Sequence, residues 1–252
     1  MPGHAEIGWL EVITENYLWD RGVRRKNLEK LRENYDLAFH GVSLSLASPE
    51  EHDEGYLKEL RVFCDEFAPV RVSDHLCWSS TGGHFWHDLL PFPYTEENLG
   101  HLTRKVLRWQ DVLKRPLVVE NLSTYVASSL STMSEYEFLA ELVKATSCRI
   151  LLDVNNMIVN ARNFGVDPHK ELAKIDLSSV AQVHLAGFVE SESFVIDTHS
   201  EPPHPATWEL WDAVCRKRND IPFMIEWDAD IPDFETVKFH LDRAAAIQRG
   251  EP

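Results

Sequence analysis

The stretch V-A-Q-V-H-L-A-G-F-V-E-S-E-S-F-V-I-D-T-H, residues 180–199, decides how this chain is read. Its opening run is short and apolar, the pattern of a strand buried on both faces, and the strand ends on His184. Gly187 opens a loop that then delivers Asp197 and His199 with one residue between them. Three ligand-type side chains, at a strand end and in the loop behind it, have the make-up of a metal site.

Moving outward, the same arrangement recurs. Residues 149–152 (R-I-L-L) form an apolar run that stops at Asp153, ahead of Asn155 and Asn156. Residues 116–119 end on Glu120 and Asn121, residues 69–73 on Asp74 and His75, and residues 37–39 on His40. Residues 7–13 (I-G-W-L-E-V-I) read as a strand ending on Glu15, and residues 222–225 as one ending on Glu226. Helical patterns fill the intervals: residues 24–35, 56–67, a helix capped by Thr95, another opened by the capping box Ser134 to Glu137, then 168–175, 208–218 and 233–248. Strand, loop and helix alternate throughout, which predicts an α/β fold, a TIM-type (β/α)8 barrel in a single metal-binding domain over residues 1–252. Seven strands are countable. The eighth would precede Ile7, where residues 1–6 are too short, so either the barrel lacks its first strand or the sequence begins inside the natural chain.

Composition narrows the function classes. A formal charge of -16 argues against a nucleic-acid partner, whose phosphates call for clustered Lys and Arg. No apolar run is long enough to span a bilayer and no signal-like start is present, which predicts no membrane partner and a cytoplasmic protein. Cys64, Cys77, Cys148 and Cys215 lie far apart, so neither a thiolate zinc site nor a disulfide framework is expected.

In a parallel barrel the carboxyl ends of the strands meet at one mouth, where active sites lie. There this sequence places Glu15, His40, His75, Glu120, Asp153, His184 and Glu226, every one an acid or an imidazole. Such a set would be ruinous to bury together unless cations neutralised it. A lone strand-end His or Asp is more often a cap than a ligand; with Asp197 and His199 the set becomes too large for one ion. Imidazole and carboxylate without thiolate suit iron, manganese or zinc, and His40, His75 and Glu120 match the two-His-one-carboxylate pattern. Asp153, His184 and Glu226 would hold a neighbouring ion, with Glu120 able to bridge. Glu15 reads as a substrate contact or a support to the ligands, as do Asp74, Asn121 and Asn155. His4, His52, His101, His169 and His240 read as solvated, and His84, His87 and His204 as loop residues over the mouth.

The segments F-H-G-V-S-L-S (39–45), V-S-D-H-L-C-W (72–78), L-L-P-F-P-Y-T-E-E (89–97), V-V-E-N-L-S (118–123), L-L-D-V-N-N (151–156), V-H-L-A-G (183–187), I-D-T-H (196–199) and I-E-W-D (225–228) together resemble the multinuclear non-haem iron-dependent oxidative enzymes, the barrel family of the methanobactin-maturing oxidase. The resemblance covers nearly the whole chain. It implies two or three irons of mixed Fe(II)/Fe(III) state and ligand roles for His40, His75, Glu120, Asp153, His184, Asp197, His199 and Glu226. Asn156 falls at a further ligand position where some relatives have histidine, and an amide binds more weakly than imidazole. The family implies O2 as co-substrate and oxidation of a cysteine, or another residue, in a ribosomally made precursor peptide, with a small partner protein presenting the peptide. Two other functions fit the same residues: a divalent-metal hydrolase or isomerase on a TIM barrel, and a non-catalytic metal-binding partner protein.

Overall fold

The computed structural model describes residues 7–251; the expected place of the eighth strand and His4 lie outside the described residues. The chain begins with β1 (Trp9–Ile13), the short α1 (Glu15–Leu18) and α2 (Val23–Arg32), then β2 (Asp36–His40) and α3 (Glu54–Phe67). It continues through β3 (Arg71–His75), the hairpin β4 (Trp78–Thr81) and β5 (His84–Leu90), α4 (Glu96–Leu113), β6 (Val118–Glu120) and α5 (Glu135–Thr146). Next come β7 (Arg149–Asp153), α6 (Val154–Phe164), α7 (Pro168–Leu172), β8 (Val180–Leu185), the hairpin β9 (Phe188–Glu190) and β10 (Val195–Asp197), α8 (Pro205–Lys217), β11 (Phe223–Ile225) and α9 (Phe234–Arg249).

Seven of these strands form one parallel sheet in the order β1-β2-β3-β6-β7-β8-β11. The sheet is curled, for side chains of non-neighbouring strands meet inside it: Arg71 of β3 and Glu11 of β1 both bond to Gln182 of β8. It is a TIM-type α/β barrel with seven strands among the described residues, and no ladder joins β1 to β11 there. Between strands and helices lies the core, with Phe39, Phe63, Trp109, Phe138 and Trp211 buried. Phe39 of β2 stacks on Phe63 of α3 at 4.5 Å, one contact by which a helix is fixed to its strand.

Polar side chains set the helix starts. Thr95 accepts from a backbone N–H of the first turn of α4 as expected, and Ser134 and Glu137 complete the expected capping box; Asp53 and Asp233, not named as caps from sequence, do the same for α3 and α9. Three expectations need correction. Strand β1 stops at Ile13, so Glu15 does not end it but opens α1. The segment holding His84, read as loop, forms the β4–β5 hairpin. His52, read as solvated, is buried and bonds to the Lys105 carbonyl at 2.9 Å.

Candidate metal centre

The last residues of adjacent strands face one another at the mouth. His40 of β2, His75 of β3 and Glu120 of β6 converge, with His40 Nε2 and His75 Nε2 each 3.2 Å from Glu120 Oε2. The two Nε2 atoms are 3.3 Å apart. Donor atoms about 2.1 Å from a shared ion stand roughly 3.0–3.4 Å from each other at octahedral to tetrahedral angles, so the triangle has the size an ion requires. A second group, Glu120, Asp153, His184 and Glu226, has its donor atoms within 4.8 Å of one another. His184 Nδ1 lies 2.8 Å from Glu226 Oε2 and 3.7 Å from Glu120 Oε1. A third joins His199, Glu226 and Asp228, with His199 Nδ1 3.3 Å from Glu226 and 3.2 Å from Asp228. Glu120 is common to the first two groups and Glu226 to the last two.

Local folding explains how each side chain is aimed. Asp153 caps α6 through Oδ1, which accepts from Asn156 N at 2.6 Å, so Oδ2 is left for the mouth. Asn121 exchanges bonds with the Asp153 backbone, at 2.9 Å and 3.0 Å, and fixes the end of β7. Asp74 accepts from Leu44 N at 3.1 Å and from His75 N at 2.7 Å, bolting the loop after β2 to the end of β3. That approach requires Gly41, where a Cβ would sit 2.4 Å from Asp74 Oδ2. Likewise a Cβ on Gly187 would lie 2.1 Å from the Glu201 carbonyl, so glycine lets the loop fold back and bring His199 over the mouth. His199 itself has a φ of 45°, an uncommon conformation for a residue with a side chain.

Asp197 accepts from Asn155 Nδ2 at 2.8 Å and Ser123 Oγ at 2.9 Å, and its Oδ1 lies 2.8 Å from His199 Nε2. Asn156 donates from Nδ2 to the Asn121 carbonyl at 3.0 Å, while its Oδ1 has no hydrogen bond. Glu15 stands apart from the three groups, accepting from Val42 N and from the Tyr56 hydroxyl at 2.9 Å. Among buried side-chain atoms without an aligned hydrogen bond are Glu120 Oε2, Asp153 Oδ2, Asn156 Oδ1, His184 Nδ1, His199 Nε2 and Glu226 Oε2. Buried polar atoms are nearly always satisfied, so six orphans in one place point to cations as their partners. The residues present therefore fit metal ions. His40, His75, Glu120, Asn156, Asp197, His199, Glu226 and Asp228 border a cavity of about 540 Å³, walled also by Ile13, Val42, Leu89, Leu122, Phe194 and Ile196; Asp153 and His184 do not line it.

Residues 2–249 match the family described as the RiPP precursor modification enzymes MbnB/TglH/ChrH. The chain belongs to this family. Among the relatives, a UPF0276 protein of Anaeromyxobacter sp. strain Fw109-5 is 43% identical over 242 residues, 96% of this chain and 86% of the relative. One from Chromobacterium violaceum is 41% identical over 250 residues, 99% of this chain and 90% of the relative. Solved structures with the same fold include D-psicose 3-epimerase of Clostridium cellulolyticum, with a TM-score of 0.59 at 10% identity, covering 97% of this chain and 88% of that one. Endonuclease IV of Thermus thermophilus has a TM-score of 0.58 at 15% identity, covering 97% and 90%. At such identities the likeness concerns the fold alone.

In this member of the RiPP precursor modification enzymes, burial and neighbouring charge shift the protonation equilibria of the clustered groups in both directions. Burial pushes the Glu120 carboxyl up to about 8 and that of Asp153 up to about 7. Burial, with the His75 imidazole beside it, draws His40 down to about 4. For His75 burial acts the other way from its neighbours, yet Glu120 and Asp74 raise it to about 9. His184 and His199 are likewise held well above the usual imidazole range by Glu226, against the effect of burial.

Two residues at the mouth were missed from sequence. Glu11, in the middle of β1, places Oε1 2.7 Å from His184 Nε2. Its signal was a carboxylate inside an otherwise apolar strand. Asp228 completes the third group, and its signal was the spacing E-W-D, which brings a second carboxylate two residues after Glu226. No described helix is long and apolar enough to cross a membrane.

Proposed function

We propose that this chain is an iron- and O2-dependent oxidase that modifies a cysteine, or another residue, of a ribosomally made precursor peptide. The observation that carries this is the set of three donor groups linked through Glu120 and Glu226, several of whose buried donor atoms have no hydrogen-bond partner. Membership of a peptide-modifying family supplies the substrate class. His40, His75 and Glu120 would hold one iron, and Glu120, Asp153, His184 and Glu226 a second. His199 and Asp228, with Asp197 and Asn156 alongside, would hold a third. A mixed Fe(II)/Fe(III) set would supply O2 activation and removal of electrons from a bound thiolate.

What the chain itself contributes is placement. Glu120 turns Oε2 toward His40 and His75 and Oε1 toward His184, so it is the carboxylate that would be shared if both groups held an ion. Leu89, Leu122, Phe194 and Ile196 give the cavity apolar walls beside the donor groups. A second cavity of about 1080 Å³ shares Val42, Asp88 and Leu89 with the first and would give room for peptide on one side of the modified residue. A small partner protein would present that peptide.

The test is anaerobic reconstitution with ferrous iron, an iron count per chain, and oxygen uptake with a cysteine peptide encoded beside the gene and its presenting protein. Two or three irons and peptide-dependent oxygen uptake are expected, with a mass change on the peptide. Turnover with zinc or manganese in the absence of oxygen would instead select the hydrolase or isomerase reading.

A further inference from the structure

Each inward-facing histidine of the barrel strands is held from behind, and the three holders differ. His40 Nδ1 meets the Ser73 hydroxyl at 2.8 Å, and His75 Nδ1 meets the Gly41 carbonyl at 3.1 Å, so both rings face the mouth with Nε2. His184 is turned the other way. Its Nε2 points back to Glu11 Oε1 at 2.7 Å, and Nδ1 faces Glu226 and Glu120. It is the ring among these three whose rear nitrogen has a carboxylate within hydrogen-bond distance, for Asp74 Oδ1 stands 3.9 Å from His75 Nδ1. The Glu11 carboxylate is buried, and it is not a member of any of the three donor groups.

The Glu11 carboxylate, which can only accept and lies nearer to Nε2 than any other partner, decides where the His184 proton sits, and the neighbouring amide holds that carboxylate. Arg71 Nε can only donate, and it lies 2.6 Å from Gln182 Oε1, which fixes the Gln182 amide with its oxygen toward Arg71. Gln182 Nε2 then faces Glu11 Oε2 at 2.6 Å and stands 2.8 Å from His184 Nε2. Two nitrogens side by side thus address the two oxygens of one carboxylate, as the fork of a guanidinium does. With the proton on Nδ1 instead, that proton would occupy the atom nearest Glu226 and leave Glu11 Oε1 without a donor from the ring.

From this we infer that Glu11 is a positioning residue for the second ion: it takes the Nε2–H of His184 and thereby reserves Nδ1 as a metal donor. A carboxylate in this position also makes the ring a stronger donor than a hydroxyl or carbonyl would, since it stabilises the ring's partial positive charge. The Arg71–Gln182–Glu11 chain is the device that holds the carboxylate in place, and it spans β3, β8 and β1 across the barrel interior. The inference rests on the metal reading proposed above.

The experiment compares the full chain with Glu11→Ala and Glu11→Gln. Ferrous iron binding is measured anaerobically at stepped free concentrations, and 15N spectra of the histidine rings are recorded on zinc-loaded protein. The wild type is expected to show His184 with Nε2 protonated and Nδ1 metal-bound. Glu11→Ala should weaken one iron equivalent by about 10–100-fold while the equivalent at His40 and His75 persists. Glu11→Gln should fall between, because its amide can offer an oxygen to only one of the two nitrogens. A wild-type spectrum with the His184 proton on Nδ1 overturns the inference whatever the variants do, including a Glu11→Ala chain that fails to fold. So does unchanged iron affinity in a folded Glu11→Ala variant. A wild type that takes up iron while the variants bind equally well sinks this inference alone; a wild type that takes up no iron sinks the metal reading with it.

Discussion

The two halves of the mouth are built on different terms. His40, His75 and Glu120 are the last residues of three neighbouring strands, β2, β3 and β6, and the ladder pairs His75 with Glu120 directly. Nothing from a long loop is needed to complete that triangle. The other half starts from Asp153 and His184 on β7 and β8 but takes His199 and Asp228 from loops, with His199 in a left-handed backbone conformation. A group fixed by the sheet holds its shape without an ion, whereas a group completed by loops depends on the hairpin fold-back at Gly187 and on the bond from Asp228 N to the His199 carbonyl at 2.8 Å. The barrel thus supplies one rigid site and one whose last donors arrive from outside it.

The comparison is broken most severely at Glu120, the carboxylate that belongs to both halves. Glu120→Gln removes a charged donor from two groups at once, and iron per chain should fall to one or fewer. Peptide-dependent oxygen uptake should drop by more than about 100-fold, beyond the 10–100-fold that loss of a supporting contact costs. Persistence of two irons in this variant would separate the groups and deny Glu120 its linking role. The next largest effect distinguishes the halves. His75→Ala should remove the iron of the sheet-built triangle and leave the other half filled, while His199→Ala should remove the loop-completed ion and leave the triangle intact. Iron counting and spectra of the two variants check this; equal losses in both would show that the halves fill only together.

The same division explains what could be read from sequence. A strand buried in a parallel barrel is a continuous apolar run, and its carboxyl end is marked by the first charged residue. His40, His75, Glu120, Asp153 and His184 stand out for that reason, and the structure brings all of them to one mouth. Glu11 does not, because attention to strand ends passes over a polar residue inside a strand, although its alternation with Leu10 and Val12 turns it to the barrel interior. Glu15 falls at the expected strand end in its place, yet its carboxylate is engaged with Val42 and Tyr56. The helix α6 is hidden by Asn155 and Asn156, residues that favour caps and turns, though Asp153 is a proper N-cap for it. Loop geometry such as the approach of His199 to Glu226 depends on backbone torsions that no local pattern encodes.

The smallest effect concerns the support beneath the rigid half. Glu135, buried in the first turn of α5, accepts from Leu122 N at 2.7 Å and so anchors the chain two residues after Glu120. Burial pushes its carboxyl up to about 8, against the opposing effect of the Leu122 N–H. The folded chain therefore keeps a proton that the unfolded chain releases once pH passes the ordinary value of 4.5. By linkage, stability from this group is full below that value and falls as pH rises toward 8, at up to about 1.4 kcal/mol per pH unit. Glu135→Gln keeps an acceptor for Leu122 and cannot titrate. Urea unfolding of metal-free protein at pH 5, 6.5 and 8 should show the variant gaining on the wild type as pH rises, with iron affinity at His40 and His75 less pH-dependent in the variant. A stability difference that stays constant across the series would mean that Glu135 does not hold its proton there, and that the rigid half owes nothing to a neutral carboxyl behind it.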